Sequence, residues 1–128
     1  MQIIVATITF LILDGIWLGF IANQSYIDAF GPILRMADGR IQPNLAAAAV
    51  VYVALIAGII LLVIPKAGGQ LLPAFLWGAF FGFVTYATYD FTNLAVLKDW
   101  SLKMSIIDTI WGMVLCGATS FVTVWFTR

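Results

Sequence analysis

Two copies of one tetrad, Asp14-Gly15-Ile16-Trp17 and Asp108-Thr109-Ile110-Trp111, stand inside apolar stretches near opposite ends of the chain. A carboxylate at the centre of a membrane helix costs roughly 2.5–3.5 kcal/mol on insertion scales, so it is kept where it faces a bundle interior or a ligand path. A third aspartate, Asp90, belongs to Tyr86-Ala87-Thr88-Tyr89-Asp90-Phe91-Thr92-Asn93, in which Tyr86, Asp90 and Asn93 are spaced by four and three and share one helical face. Carboxylates close together in low dielectric cannot all ionise, so at least one of the three is expected to carry a proton at neutral pH. That state permits proton exchange or hydrogen-bond donation to a ligand. The candidate ligand-binding or proton-linked residues are Asp14, Trp17, Asn23, Tyr86, Tyr89, Asp90, Asn93, Asp108 and Trp111.

Other chemistries are narrowed by what the chain lacks. It has no histidine and no glutamate, which removes the usual imidazole base, the Ser-His-Asp triad, His-ligated haem and most zinc sites. Aspartate oxygens can hold Mg²⁺ or Mn²⁺ in membrane lipid enzymes. Here the acids are scattered one per helix, not gathered in a compact motif, so no metal or cofactor is expected and no catalytic residue can be named. Six basic residues balance six aspartates, leaving no net field to recruit nucleic acid. Cys116, the single cysteine, reads as a small packing residue.

The elements that must position these groups follow from hydropathy. Of 128 residues, 63% are hydrophobic and only 9% charged, against about 25% charged in a soluble domain. Crossing ~30 Å of hydrocarbon takes about 20 apolar residues, and four such runs are present, at about 2–23, 44–64, 71–96 and 103–126. The expected fold is therefore all-α, one integral membrane domain over 1–128 with four transmembrane helices. Barrel strands would need alternating polarity that these runs lack. The first run has a central Asp14 and no basic flank before it, so it reads as a retained helix and not a cleaved signal. Pro65 to Gly69 is expected to end helix two, and the connection Gln24 to Pro43 is expected either to carry a short interfacial helix or to fold as a loop over the bundle mouth.

Asp90 lies about six residues before the end of helix three and Asp108 about five after the start of helix four, which sets both roughly 9 Å inside the same membrane face. Helix one runs toward that face, so three helices are expected to converge on one polar cavity. Arg35, Arg40, Lys98 and Lys103 lie toward the same mouth, to pair with the shallower acids or attract a headgroup. The basic bias places loops one and three in the cytoplasm. Trp77, Trp100 and Trp125 read as interface anchors, and Gly78-Ala79 with Gly82 as a small-residue seam for close helix approach.

The segments Leu13-Asp14-Gly15-Ile16-Trp17-Leu18-Gly19, Tyr86 to Leu94 and Asp108-Thr109-Ile110-Trp111-Gly112 together resemble a family of predicted bacterial membrane proteins, the domain of unknown function numbered twenty-one seventy-seven. The resemblance covers essentially the whole chain and implies a multi-pass, four-helix protein of the bacterial inner membrane, without supplying a substrate. Three readings follow from the residues: binding or handling of a lipid headgroup or small polar ligand, proton-coupled transport, and a structural membrane subunit. Membrane lipids are the expected partners. A homo-oligomer is expected because four short helices enclose little interior.

Overall fold

The computed structural model describes residues 1–128. Four helices are long and apolar enough to cross a membrane: α1 (Gln2–Ile21), α3 (Leu45–Ala67), α4 (Leu71–Val96) and α5 (Leu102–Thr127). The chain is thus an all-α, four-helix membrane bundle. Side chains fix two of the helix starts, Asn44 accepting the Ala47 N–H at 3.1 Å and Ser101 accepting that of Met104 at 3.1 Å, each satisfying an orphan donor of the first turn.

Helix α3 runs three residues past the end of its apolar run at about 44–64. Pro65 lies inside the helix, and the terminator is Gly68 in the left-handed conformation at φ 57°. Proline removes an N–H and crowds the carbonyl four residues back. The turn before it, Ile59–Val63, is wound as a π-helix, whose wider spacing accommodates that defect without breaking the rod.

Helix α5 is the axis of the bundle. Half of its apolar window is buried, against 17–28% for the other three. Its inward stripe is small or hydroxylic: Ser105, Thr109, Gly112, Cys116, Ser120 and Thr123 are all buried. Ser120 and Thr123 return their hydroxyls to the carbonyls of Cys116 and Thr119, each at 2.7 Å, whereas the buried hydroxyls of Thr109 and Thr119 have no partner. Helix α4 lies along this stripe, with Gly78 against the Cys116 backbone and Gly82 against the carbonyl of Gly112. The expected Gly78–Gly82 seam is this close approach. Large apolar side chains point outward, among them Phe20, Val50 and Leu72, which suits lipid and not water.

Between α1 and α3 the chain forms a short helix α2 (Asn23–Phe30), a 3-10 turn at Gly31–Ile33 and a small antiparallel pair, β1 (Met36–Ala37) with β2 (Arg40–Ile41). Asp38 and Gly39 turn that hairpin at φ 53° and 73°, the left-handed pair that a two-residue hairpin loop requires. Of what was expected for this connection, the short helix is present as α2. Phe30 is buried and packs on Trp100 with ring centroids 4.4 Å apart. Helix α3 meets α4 and α5 through its second half, from Ile59 onward, while its first half leans on α1. A cleft therefore opens between α3 and α4 near the mouth.

Candidate functional site

Consecutive spans alternate in direction, so α1 and α5 are antiparallel and their Asp-x-Ile-Trp tetrads meet in reverse order. Each tetrad's tryptophan serves the other's aspartate. Trp111 donates its indole N–H to Asp14 Oδ1 at 3.2 Å. Trp17 donates to the Tyr26 hydroxyl at 3.3 Å, and Tyr26 in turn donates to Asp108 Oδ1. The two indoles stack between these bonds, centroids 4.6 Å apart and planes 7° from parallel. A second donor closes off Asp14: the Tyr52 hydroxyl of α3 reaches Oδ2 at 2.7 Å. With 5% of its surface exposed, Asp14 is a bridge among α1, α3 and α5.

Asp90 and Asp108 form the other half of the site. Their carboxyls come within hydrogen-bonding reach of each other across the α4–α5 contact, as their matched depths predict. Asp90 is 2% exposed and its Oδ2 is buried without a partner. Asp108 faces the α3–α4 cleft, a volume of about 470 Å³ lined by Val51, Leu55, Thr85, Tyr86, Tyr89 and Asp108. Burial first, and then the adjacent Asp108 carboxylate, hold the Tyr26 phenol above its ordinary range. Tyr26 is thereby kept as a neutral donor at the mouth.

The remaining expected residues take distinct places. Tyr86 packs its ring on Gly112 and reaches the cleft, and Tyr89 is an exposed cleft wall in edge contact with Trp100 at 6.1 Å. Asn23 turns back to cap α1, donating to the Leu18 carbonyl at 3.1 Å, and Asn93 sits half-buried toward the loop end of α4. The three aspartates do not line one common cavity. Asp108 alone lines the cleft, while Asp90 and Asp14 are buried outside its lining.

Two partners were not among the expected site residues. Tyr52 is the lone polar-tipped side chain of a long apolar run, and Tyr26 lies in the connection, where no periodicity aims it. Trp100 also differs from its reading as an interface anchor. It is half-buried, packs on Phe30 and Tyr89, and donates to Ser105 Oγ at 3.0 Å, completing an aromatic cover with α2. No three acidic or cysteine side chains gather closely enough to hold a metal ion.

A family model described as "Predicted membrane protein (DUF2177)" matches residues 1–125. No curated protein and no solved structure matches the chain.

Proposed function

The chain belongs to the DUF2177 family of predicted membrane proteins, and from that premise we propose that it binds or handles a lipid headgroup or small polar ligand in the α3–α4 cleft, through Asp108. The observation that carries this reading is a carboxyl at the floor of an otherwise apolar and aromatic cleft, backed by a second, buried carboxyl with an unpartnered oxygen. Such a group is costly to maintain in hydrocarbon without use. A bundle held together by Asp14 alone would need neither Asp90 nor Asp108. Tyr86 and Tyr89 supply further hydrogen-bonding groups, and Val51 with Leu55 gives an apolar flank along which a chain or ring can lie. In this reading Asp14, Tyr52, Trp111 and Trp17 position the site, and the protein resides in a bacterial inner membrane with the α2 side facing the cytoplasm.

The test is modification by dicyclohexylcarbodiimide, an apolar reagent that enters from lipid and attacks protonated carboxyls. Peptide mass mapping should find Asp108 labelled and Asp14, closed by two donors, unlabelled. Equal labelling of Asp14, or none at Asp108, contradicts the proposal.

A second reading, proton-coupled exchange, draws support from the Asp90–Asp108 contact. Two carboxyls meeting in low dielectric are held together by one proton between them, and a cation arriving at Asp108 displaces it. Proton release on ligand addition distinguishes this reading from binding alone.

A further inference from the structure

Resting on the reading that the α3–α4 cleft takes a ligand, we infer that its occupant is a lipophilic monocation, an ammonium or other onium head on an apolar body. The lining offers one sign of charge only. Asp108 is its single acid, Val51 and Leu55 are apolar, and the other wall is Thr85, Tyr86 and Tyr89. Of the basic residues expected near this mouth none is in the lining; Lys103 lines a pocket with Asp28, Ser25 and Ser101, and Arg35 one beside Gln42 and Asn44.

A phosphate or carboxylate head in the cleft would meet Asp108 with no counter-charge, in a medium that magnifies the repulsion. The Thr85 hydroxyl is already given to the carbonyls of Phe81 and Gly82 at 3.0 and 3.3 Å, which leaves an anion the Tyr86 and Tyr89 hydroxyls, neutral donors that do not offset the Asp108 charge. A cation meets the opposite conditions. It pairs with Asp108 beside the aromatic rings of Tyr86 and Tyr89. The volume of about 470 Å³ falls within the roughly 300–1,000 Å³ of small-molecule pockets, enough for an onium head and part of its apolar body.

The experiment places the protein in phosphatidylglycerol nanodiscs and measures equilibrium binding of tetraphenylphosphonium and tetraphenylborate, ions of one shape and opposite charge, with empty discs subtracted. The expected result is saturable binding of the cation alone, weakened about tenfold or more in Asp108→Asn. If that variant does not fold, Tyr89→Leu, at an exposed cleft position, should weaken binding severalfold by removing one ring face. Saturable binding of the borate, or cation binding unchanged in both variants, overturns the inference. Adding a dialkyl trimethylammonium lipid, which carries a single positive charge and no phosphate, separates two sources of the head group: competition assigns it to a lipid, and lack of competition assigns it to a free cation. Should no cation bind while an uncharged lipid still co-purifies in an Asp108-dependent manner, the monocation inference fails and the ligand reading survives. Failure of both removes the ligand reading as well.

Discussion

Trp17 of α1 and Trp111 of α5 stack with centroids 4.6 Å apart and planes 7° from parallel, and their N–H groups point in opposite directions along the bundle. One reaches Asp14 directly, and the other reaches Asp108 through the Tyr26 hydroxyl. The duplicated tetrad thus acts as a reciprocal clamp between antiparallel helices, holding a carboxyl on each. One of these is sealed, and the other is presented to a cleft.

Tyr26→Phe removes both a donor to Asp108 and the acceptor of Trp17. A hydrogen bond to a charged group contributes about 1.5–3 kcal/mol, so thermal stability should fall by a part of that amount, and amide exchange should accelerate across Asn23–Phe30, the helix the phenol anchors. The same variant carries a pH signature. The folded phenol titrates above its unfolded value, so its contribution is complete below about pH 10, the unfolded phenol value, and is lost as pH rises through the higher folded value. Denaturation followed from pH 8 to 11 should therefore give a shallower alkaline decline in Tyr26→Phe than in the wild type; parallel curves would refute this.

Asp14 accepts from Tyr52 and Trp111, so Asp14→Ala strands two half-buried donors. The expected cost is about 2–4 kcal/mol. Tyr52→Phe, which loses one bond inside the bundle, should cost only about 0.6–1.7 kcal/mol. Because each variant removes the same Tyr52–Asp14 bond, the double variant should cost less than the sum; strict additivity in a double-mutant cycle would show that the bond is not a real coupling.

A Cβ added at Gly82 would collide with the Gly112 carbonyl, whereas one added at Gly15 meets nothing within 4 Å. Gly82→Ala should accordingly push α4 off α5 and destabilise by about 1–3 kcal/mol. Gly15→Ala, in an open helical position, should be neutral or gain about 0.5–1 kcal/mol. Thermal melts of the two variants side by side check the contrast, and equal effects would contradict the tight α4–α5 seam.

Much of this arrangement is legible in the sequence because helices convert residue count into depth. Asp90 and Asp108 are counted from a shared hairpin, so their meeting follows from arithmetic, and Gly78 with Gly82 marks the seam by side-chain size alone. The same arithmetic would have found Tyr52: it lies seven residues into α3 and Asp14 seven residues before the end of α1, both about 10 Å from the mouth. A tyrosine in an apolar run reads as packing until a partner at its own depth is sought. Tyr26 was harder to foresee, because a connection of mixed composition has no period to aim a side chain. Helix α3 continues through Pro65 to Ala67 and stops at Gly68, inside the Pro65–Gly69 segment expected to end it, because Ile59–Val63 widens ahead of the proline and admits it.

The most direct test of the central claim, that Asp108 presents a ligand site and Asp14 does not, is native mass spectrometry of the detergent-purified protein, wild type beside Asp108→Asn and Asp14→Asn. The expected result is a small molecule or lipid retained by the wild type, lost in Asp108→Asn and still present on whatever fraction of Asp14→Asn remains folded. A retained species that survives Asp108→Asn unchanged, or one that depends on Asp14 and not on Asp108, would contradict it.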